Sequence, residues 1–391
     1  MAGSQTALRE ANRATVVDTV RRYGGLTQVE LAAATGLSPA TVSNIVRELQ
    51  AVGAVEVRAT VHNGRRAMRV TMVHRTGVAA GIRIGTRHLA VALADSGHEV
   101  LVEQTLPLPH EHRADTSLDR AALLVVELLE RVGSSLDELL GIGMGVPAPV
   151  DAATGTISVP GILRGWDDAP VAQVMSKRLG VPVFVDNDAN LGALAESRLG
   201  AARGYQDSVY VRASHGTGAG IVLAGRVHQG FAGTAGEIGH VQVDPGGVVC
   251  LCGSRGCLNT VAGAPALIEA LRVSRGPLTL RDIVALAGAG DPGCTQVVQD
   301  AGAAIGAAVA GLAIAVNPQC VVIGGELAET GEILIGPMRE AIRRRVPLNH
   351  IAPLEVVGAE LGPQAEVMGA VLLVLESTHA PTHWFDIQDG D

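Results

Sequence analysis

The segment from Gly236 to Asn259 reads GEIGHVQVDPGGVVCLCGSRGCLN, and within it His240, Cys250, Cys252 and Cys257 follow the pattern H-x9-C-x-C-x4-C. One imidazole and three thiolates are a complete set of soft ligands for tetrahedral zinc. An ion whose four positions are all filled by protein is structural, because no position is open for a reacting water. The spacing is short enough for a single glycine-punctuated loop to fold around the ion. The same residues also admit two plainer readings, buried thiols beside an unrelated His, or a disulfide. A C-x-C bridge is strained, however, and nothing in the chain signals an oxidising compartment.

Outward from this loop the chain alternates between strand and helix patterns. On the N-terminal side, VAAGIRIG, HLAVALAD and EVLVEQTL are three successive strands and LDRAALLVVELLERV is a helix. LLGIGMGVP is a buried strand, VAQVMSKRLG a helix and VPVFVDND a strand. The order then recurs. SVYVRAS, GAGIVLAG and RVHQG give three strands, AIGAAVAGLAIAVN a helix, CVVIGGEL a strand, GPMREAIRRR a helix, LEVVGAEL a strand, and Glu366 to Ser377 a closing helix. Two βββαβα halves with a cleft between them describe an α/β, actin-like and ribonuclease-H-like architecture. A doubly wound Rossmann domain is the competing arrangement, and three consecutive strands at the head of each half argue against it.

The first 75 residues follow different rules. Leu8 to Tyr23 reads as a helix with Ala11, Ala14, Val17 and Val20 at helical spacing, ended by Gly24-Gly25. Thr27 and Glu30 form a T-x-x-E capping box for a short helix closed by Gly36. Ser38 suits an N-cap and Pro39 the first position of a third helix, with Val42, Ile45, Val46 and Leu49 on one face. The opposite face carries Ala40, Thr41, Ser43, Asn44 and Arg47, which with Ser38 can meet phosphates and base edges in a major groove. That face alone could equally be the solvated side of a small bundle. The next segment decides between the two: VEVRATV and RRAMRVTM alternate about an Asn63-Gly64 turn, with Met68, Val70 and Met72 inward. Arg65 and Arg66 stand at the tip of this wing, placed for a minor groove or a phosphate. A winged helix-turn-helix is the expectation.

Charge agrees with this division. Residues 1–75 hold ten Arg against five acidic residues, a net of +5, which leaves −14 for the rest of a chain whose total is −9. A basic head on an acidic body expects nucleic acid at the head alone. The scarcity of aromatic residues and of Lys, with Lys177 the single one, reflects composition and carries no functional signal. The N-terminus lacks an apolar leader and no window is read as approaching the ~18 apolar residues of a membrane span, so a cytoplasmic protein is expected. Cys294 and Cys320 are expected to be inert buried thiols.

Three motifs give the chain its resemblance to the ROK family of bacterial repressors, open reading frames and sugar kinases. They are GVPAPVDAATGTI at Gly145 to Ile157, DNDANLGALAE at Asp186 to Glu196, and GTAGEIGHVQV followed by CLCGSRGCLN. The resemblance runs from the first helix to about Leu375 and implies domains at 1–75 (winged helix-turn-helix), 76–187 (first lobe) and 188–391 (second lobe with the zinc loop), the C-terminal helix returning to the first lobe. It also implies that Asn187 and Asp188 contact a sugar, Asp188 being the kinases' general base, and that Glu237 and His240 bind sugar hydroxyls. Asp188 also suits a plain helix N-cap. Asn259, where relatives often carry Glu, is expected at the same sugar edge, and Gly161 stands where glucose-phosphorylating members have Asn.

The nucleotide side departs further from the family. Its kinases begin with D-x-G-G-T, and here the stretch is Arg83-Ile84-Gly85-Thr86-Arg87, so a base replaces the metal-orienting acid. SHGTGAG at Ser214 to Gly220 and GGEL at Gly324 to Leu327 keep their glycines. The resemblance therefore implies a sugar-responsive repressor of carbohydrate genes with a structural zinc and no kinase activity. Its partners would be a double-stranded DNA operator, a sugar effector and a second or further copies of itself, as a homodimer or homotetramer. The alternative is an ATP-dependent sugar kinase with an appended DNA-binding domain, in which Asp188 would be catalytic.

Overall fold

The computed structural model describes residues 2–62, 65–72, 77–109, 112–151, 154–159, 162–163, 165–166, 169–346 and 353–378, with the side chains of 2–8, 10, 21, 61–62 and 65–66 outside that description. The Asn63-Gly64 turn, Gly161, and the side chains of Arg65 and Arg66 therefore lie outside the described residues.

The head is built from α1 (Ala2–Tyr23), β1 (Leu26–Thr27), α2 (Gln28–Thr35), α3 (Pro39–Ala51), β2 (Val55–His62) and β3 (Arg65–Met72). Both start signals act as the sequence expects. Thr27 and Glu30 close a reciprocal capping box on α2, and Ser38 caps α3 with Pro39 in its first turn. β2 and β3 pair antiparallel from Val55↔Met72 to His62↔Arg65, and β1 adds a third strand through Leu26↔Val70. Two expectations change. In α1, among the described side chains, the buried positions are Val16 and Val20, which join the head's core, with Ala11 and Ala14 exposed. Of the three wing positions expected inward, Val70 is buried, Met72 is half-buried and Met68 is 47% exposed.

The body opens with β4 (Val78–Ile84), β5 (His88–Asp95), β6 (Val100–Pro107), α4 (Ala114–Arg131), β7 (Leu139–Val146), α5 (Val171–Leu179), β8 (Val183–Asn187) and α6 (Asp188–Arg198). It continues with β9 (Ser208–Ala213), β10 (Thr217–Leu223), β11 (Arg226–Val227), α7 (Asn259–Ala262), α8 (Ala264–Arg275), α9 (Leu280–Gly288) and α10 (Pro292–Val316). β12 (Cys320–Gly324), α11 (Glu332–Arg345), β13 (Glu355–Gly358) and α12 (Ala365–Thr378) complete it. The strands form two five-stranded sheets of the same design, β6-β5-β4-β7-β8 and β11-β10-β9-β12-β13. In each, the first three strands are antiparallel and the last two parallel.

Helices α6 and α12 lie between these sheets. α12 packs on β4 and β7, α6 on β9 and β10, and the two helices pack on each other. The approach is close enough that a Cβ at Gly143 of β7 would fall 1.9 Å from the Ala370 carbonyl oxygen, so only glycine fits. This brings Asp188 at the start of α6 and Glu366 at the start of α12 to either side of Arg212 of β9, between the two sheets. The segment from α7 to α9, unread in the sequence, forms a helical cap on the second sheet.

α10 is, by length and composition, apolar enough to cross a membrane, which corrects the expectation that no window reaches that level. Val298, Ile305 and Val309 are fully buried in the core of the second lobe, and α11 packs along the helix. Its apolar character is that of a core helix.

Candidate ligand cleft and zinc loop

The ligand atoms of His240, Cys250, Cys252 and Cys257 all lie within 4.8 Å of one another. Cys250 Sγ is 3.6 Å from His240 Nδ1, and Cys252 Sγ is 3.6 Å from Cys257 Sγ. Metal–sulfur bonds of ~2.3 Å give a tetrahedron with edges of about 3.8 Å, which these separations fit. Every cysteine of the chain is free, and a disulfide would need ~2.05 Å between sulfurs. Bridges Gln242↔Cys257 and Val249↔Arg255 fold the loop back on itself. His240 ends the short 3-10 turn Ile238–His240, and burial lowers its pKa, which favours the neutral imidazole that binds metal. Its Nδ1 faces the sulfurs, while its Nε2 faces Glu237 Oε2 at 3.8 Å.

The other side of His240 is the cleft. Burial, and then the charge of Asp188, push the Glu237 carboxyl up to about 7. Glu237 and His240 thus face each other on one loop, and Asp188 acts on Glu237 through its charge. Asn187 adjoins them but spends its amide locally: Oδ1 accepts from the Ala189 amide at 2.8 Å and Nδ2 donates to the Ala148 carbonyl at 3.1 Å. Asn187, and not Asp188, is the N-cap of α6. Behind it Asp186 accepts from Asn190 Nδ2 at 2.8 Å and Gln229 Nε2 at 2.7 Å. Asn259 sits one layer back, its Oδ1 accepting from the Thr217 amide at 2.7 Å.

Asp188 is also the end of a buried ion network that sequence reading does not anticipate. Arg212 Nε is 3.2 Å from Asp188 Oδ2 and 2.9 Å from Glu366 Oε1, and Arg83 Nε is 3.9 Å from Glu366 Oε2. Burial opposes the charge on Arg212, but Asp188 and Glu366 outweigh it and raise the guanidinium's pKa. Both carboxylates stand at helix N-termini, where the backbone dipole favours negative charge. Two arginines and two carboxylates from β4, β9, α6 and α12 thus balance one another. The sequence signals that could have found the network are Arg212 inside the otherwise apolar strand SVYVRAS and Glu366 heading the apolar helix AEVMGAVLLVL.

Backbone amides on the same side are occupied as well. Gly85 N–H donates to the His88 carbonyl at 2.9 Å, and His112 Nε2 lies 3.0 Å from the Gly85 carbonyl. In the second glycine loop the Thr217 amide is held by Asn259.

In the head, Ser38 Oγ accepts from the Thr41 amide at 3.1 Å and pairs with its hydroxyl at 2.8 Å, so both side chains also serve the cap of α3. Asn44 and Arg47 are exposed, joined by an Arg47 Nη1 to Asn44 Oδ1 bond of 3.3 Å, and Ser43 is half-buried. Arg9 and Asn12 of α1 line a groove with Thr41, Asn44 and Arg47, and Arg9 is ion-paired to Glu48. Sequence reading overlooks Arg9, whose placement depends on the α1–α3 packing.

A winged-helix head on a two-lobed, sugar-kinase-like body with a Cys3His loop defines a class of proteins. The ROK family model matches residues 79–377 and the MarR family model residues 10–66. The chain belongs to the ROK family. It is 32% identical over 387 residues to the DNA-binding transcriptional dual regulator NagC of Escherichia coli K12, covering 95% of this chain and 94% of that one. It is 26% identical over 389 residues to the xylose repressor of Bacillus spizizenii, covering 98% of each. Among solved structures, a ROK family transcriptional regulator described as a homologue of the E. coli MLC protein superposes with a TM-score of 0.71 at 29% identity, over 94% of this chain and 97% of that chain. A ROK glucokinase from Streptomyces griseus, in complex with glucose and AMPPNP, gives 0.68 at 28% identity, over 76% of this chain and 99% of the enzyme.

Proposed function

We propose that the chain is a sugar-responsive transcriptional repressor of carbohydrate-metabolism genes, cytoplasmic and homo-oligomeric, whose kinase-like body no longer transfers phosphate. The observation that carries this reading is the ion pairing of Arg83. An acid at position 83 would leave three carboxylates around Arg212, an excess of negative charge that a divalent cation would relieve. Arginine there instead puts a positive charge 3.9 Å from Glu366, and phosphoryl transfer loses the group that orients its magnesium. Similarity to an N-acetylglucosamine repressor and a xylose repressor supports the same assignment.

In this account Asp188, Glu237 and the Nε2 of His240 hold sugar hydroxyls, with Asn187 shaping the wall beside them. His240, Cys250, Cys252 and Cys257 would hold zinc, which would supply no chemistry beyond a rigid loop that keeps Glu237 and His240 in place. Ser43, Asn44 and Arg47 read the major groove, and the wing bearing Arg65 and Arg66 meets the backbone or minor groove. A dimer presents two heads to half-sites about one helical turn apart, and a homotetramer would present further pairs. The alternative is tested by ADP release over a panel of hexoses, pentoses and amino sugars. No turnover is expected, and turnover that disappears in Asp188→Ala would make the chain a kinase.

A further inference from the structure

The head and the body meet at the turn between α1 and β1. Gly24 and Gly25 there have φ of +69° and +148°, which L side chains rarely adopt. The His98 imidazole lies so close that a Cβ on Gly24 would fall 2.5 Å from its Nδ1. The Gly25 carbonyl accepts from Arg203 Nη2 at 3.1 Å. His98 belongs to the turn between β5 and β6, and so to the first sheet. Arg203 lies between α6 and β9, at the edge of the second. Nearby, Arg198 ties the β10–β11 turn to α12, donating to the Gly225 carbonyl at 3.1 Å and to Glu376 at 2.7 Å.

His98 is poorly explained by its own turn. Asp95 closes that turn unaided: its carboxylate accepts from the amides of Gly97 at 2.8 Å and Glu99 at 3.0 Å, and its carbonyl accepts from the His98 amide at 3.1 Å. His98 nevertheless has φ +69°, a left-handed conformation that costs a non-glycine residue roughly 1 kcal/mol. Its Nδ1 is buried without a hydrogen-bond partner. Burial pushes the imidazole down to about 4, so it is neutral near pH 7. Backbone strain and an unsatisfied polar atom coincide where the first lobe touches the head, the pattern of a residue retained for a contact and not for its local fold.

We infer that the Gly24-Gly25 turn is the docking point of the DNA-binding head, gripped from the first lobe by His98 and from the second by Arg203, and that these two side chains carry a change of lobe angle to the head. Any rotation between the lobes alters the separation of His98 and Arg203, so the head must follow one of them or come free. The transmission rests on the ligand-responsive reading of the cleft; the docking does not.

Amide hydrogen exchange on the full-length protein tests the docking. His98→Ala and Arg203→Ala should each speed exchange across residues 20–28 by about tenfold, with the zinc loop unchanged. Wild-type rates there in both variants would overturn it. Transmission is tested with an operator selected from a random duplex pool and with N-acetylglucosamine and D-xylose as probes. The double variant should bind the operator and the active sugar within about threefold of wild type, while the ratio of operator affinities with and without sugar falls toward one. A wild-type ratio in the double variant overturns transmission. If neither sugar alters operator binding by the wild-type protein, the ligand-responsive reading fails and transmission with it, and docking is still decided by the exchange rates.

Discussion

At the Cys3His-loop end, among the described residues, the Glu237 carboxylate makes no hydrogen bond, and its ion-pairing neighbour is His240 Nε2, at 3.8 Å. At the other end, Arg212 is bonded to Glu366 and paired with Asp188, Arg83 Nε lies 3.9 Å from Glu366 without a hydrogen bond, and the amides of Gly85 and Thr217 are bonded internally. Polar groups left over at one end leave work for a ligand, whereas the carboxylates at the other already have arginine neighbours. Asp188 belongs to both ends, and a sugar hydroxyl reaching it must compete with, or be oriented by, Arg212.

The largest effect should come from opening the closed end. Arg212→Ala leaves two carboxylates buried without their cation, and a loss of ~3–5 kcal/mol in urea unfolding is expected. A loss below ~1 kcal/mol would mean that the network is solvated and the contrast between the ends false. Next, Cys252→Ser or chelation should destabilise the second lobe by ~2 kcal/mol, a fall in Tm of about 4–8 °C. An unchanged melting temperature together with absence of bound zinc in the purified protein would remove the metal from the account. The smallest effect belongs to the open end. Glu237→Gln should leave Tm almost unchanged and weaken sugar binding by about tenfold, the scale of one hydrogen bond to a charged group. Equal sugar affinity in that variant would place the ligand elsewhere.

The legible parts of the molecule are those whose partners are near in sequence. His240 and the three cysteines fall inside one loop and come together there, the capping box of α2 spans four residues and forms as read, and the two wing strands pair as their alternation expects. The ion network joins Arg212 to Glu366, 154 positions away, and no local pattern records such a pairing. Asn187 and Asp188 are both good caps, and only the length of β8 decides that Asn187 takes the role. Asn259 is read as a sugar residue from its neighbours in the motif, whereas its side-chain oxygen is bonded to Thr217 by a fold contact. The same holds for His98, whose meaning depends on a head more than 70 residues away in the chain.

The central claim is that a sugar in this cleft changes how the head holds DNA. Fluorescence anisotropy of a selected operator, titrated with the protein in the presence and absence of each saturating sugar and without ATP, measures it directly. At least one sugar should change operator affinity by about tenfold, a coupling of ~1.4 kcal/mol. Operator affinity that stays the same with every sugar of the panel would contradict the account.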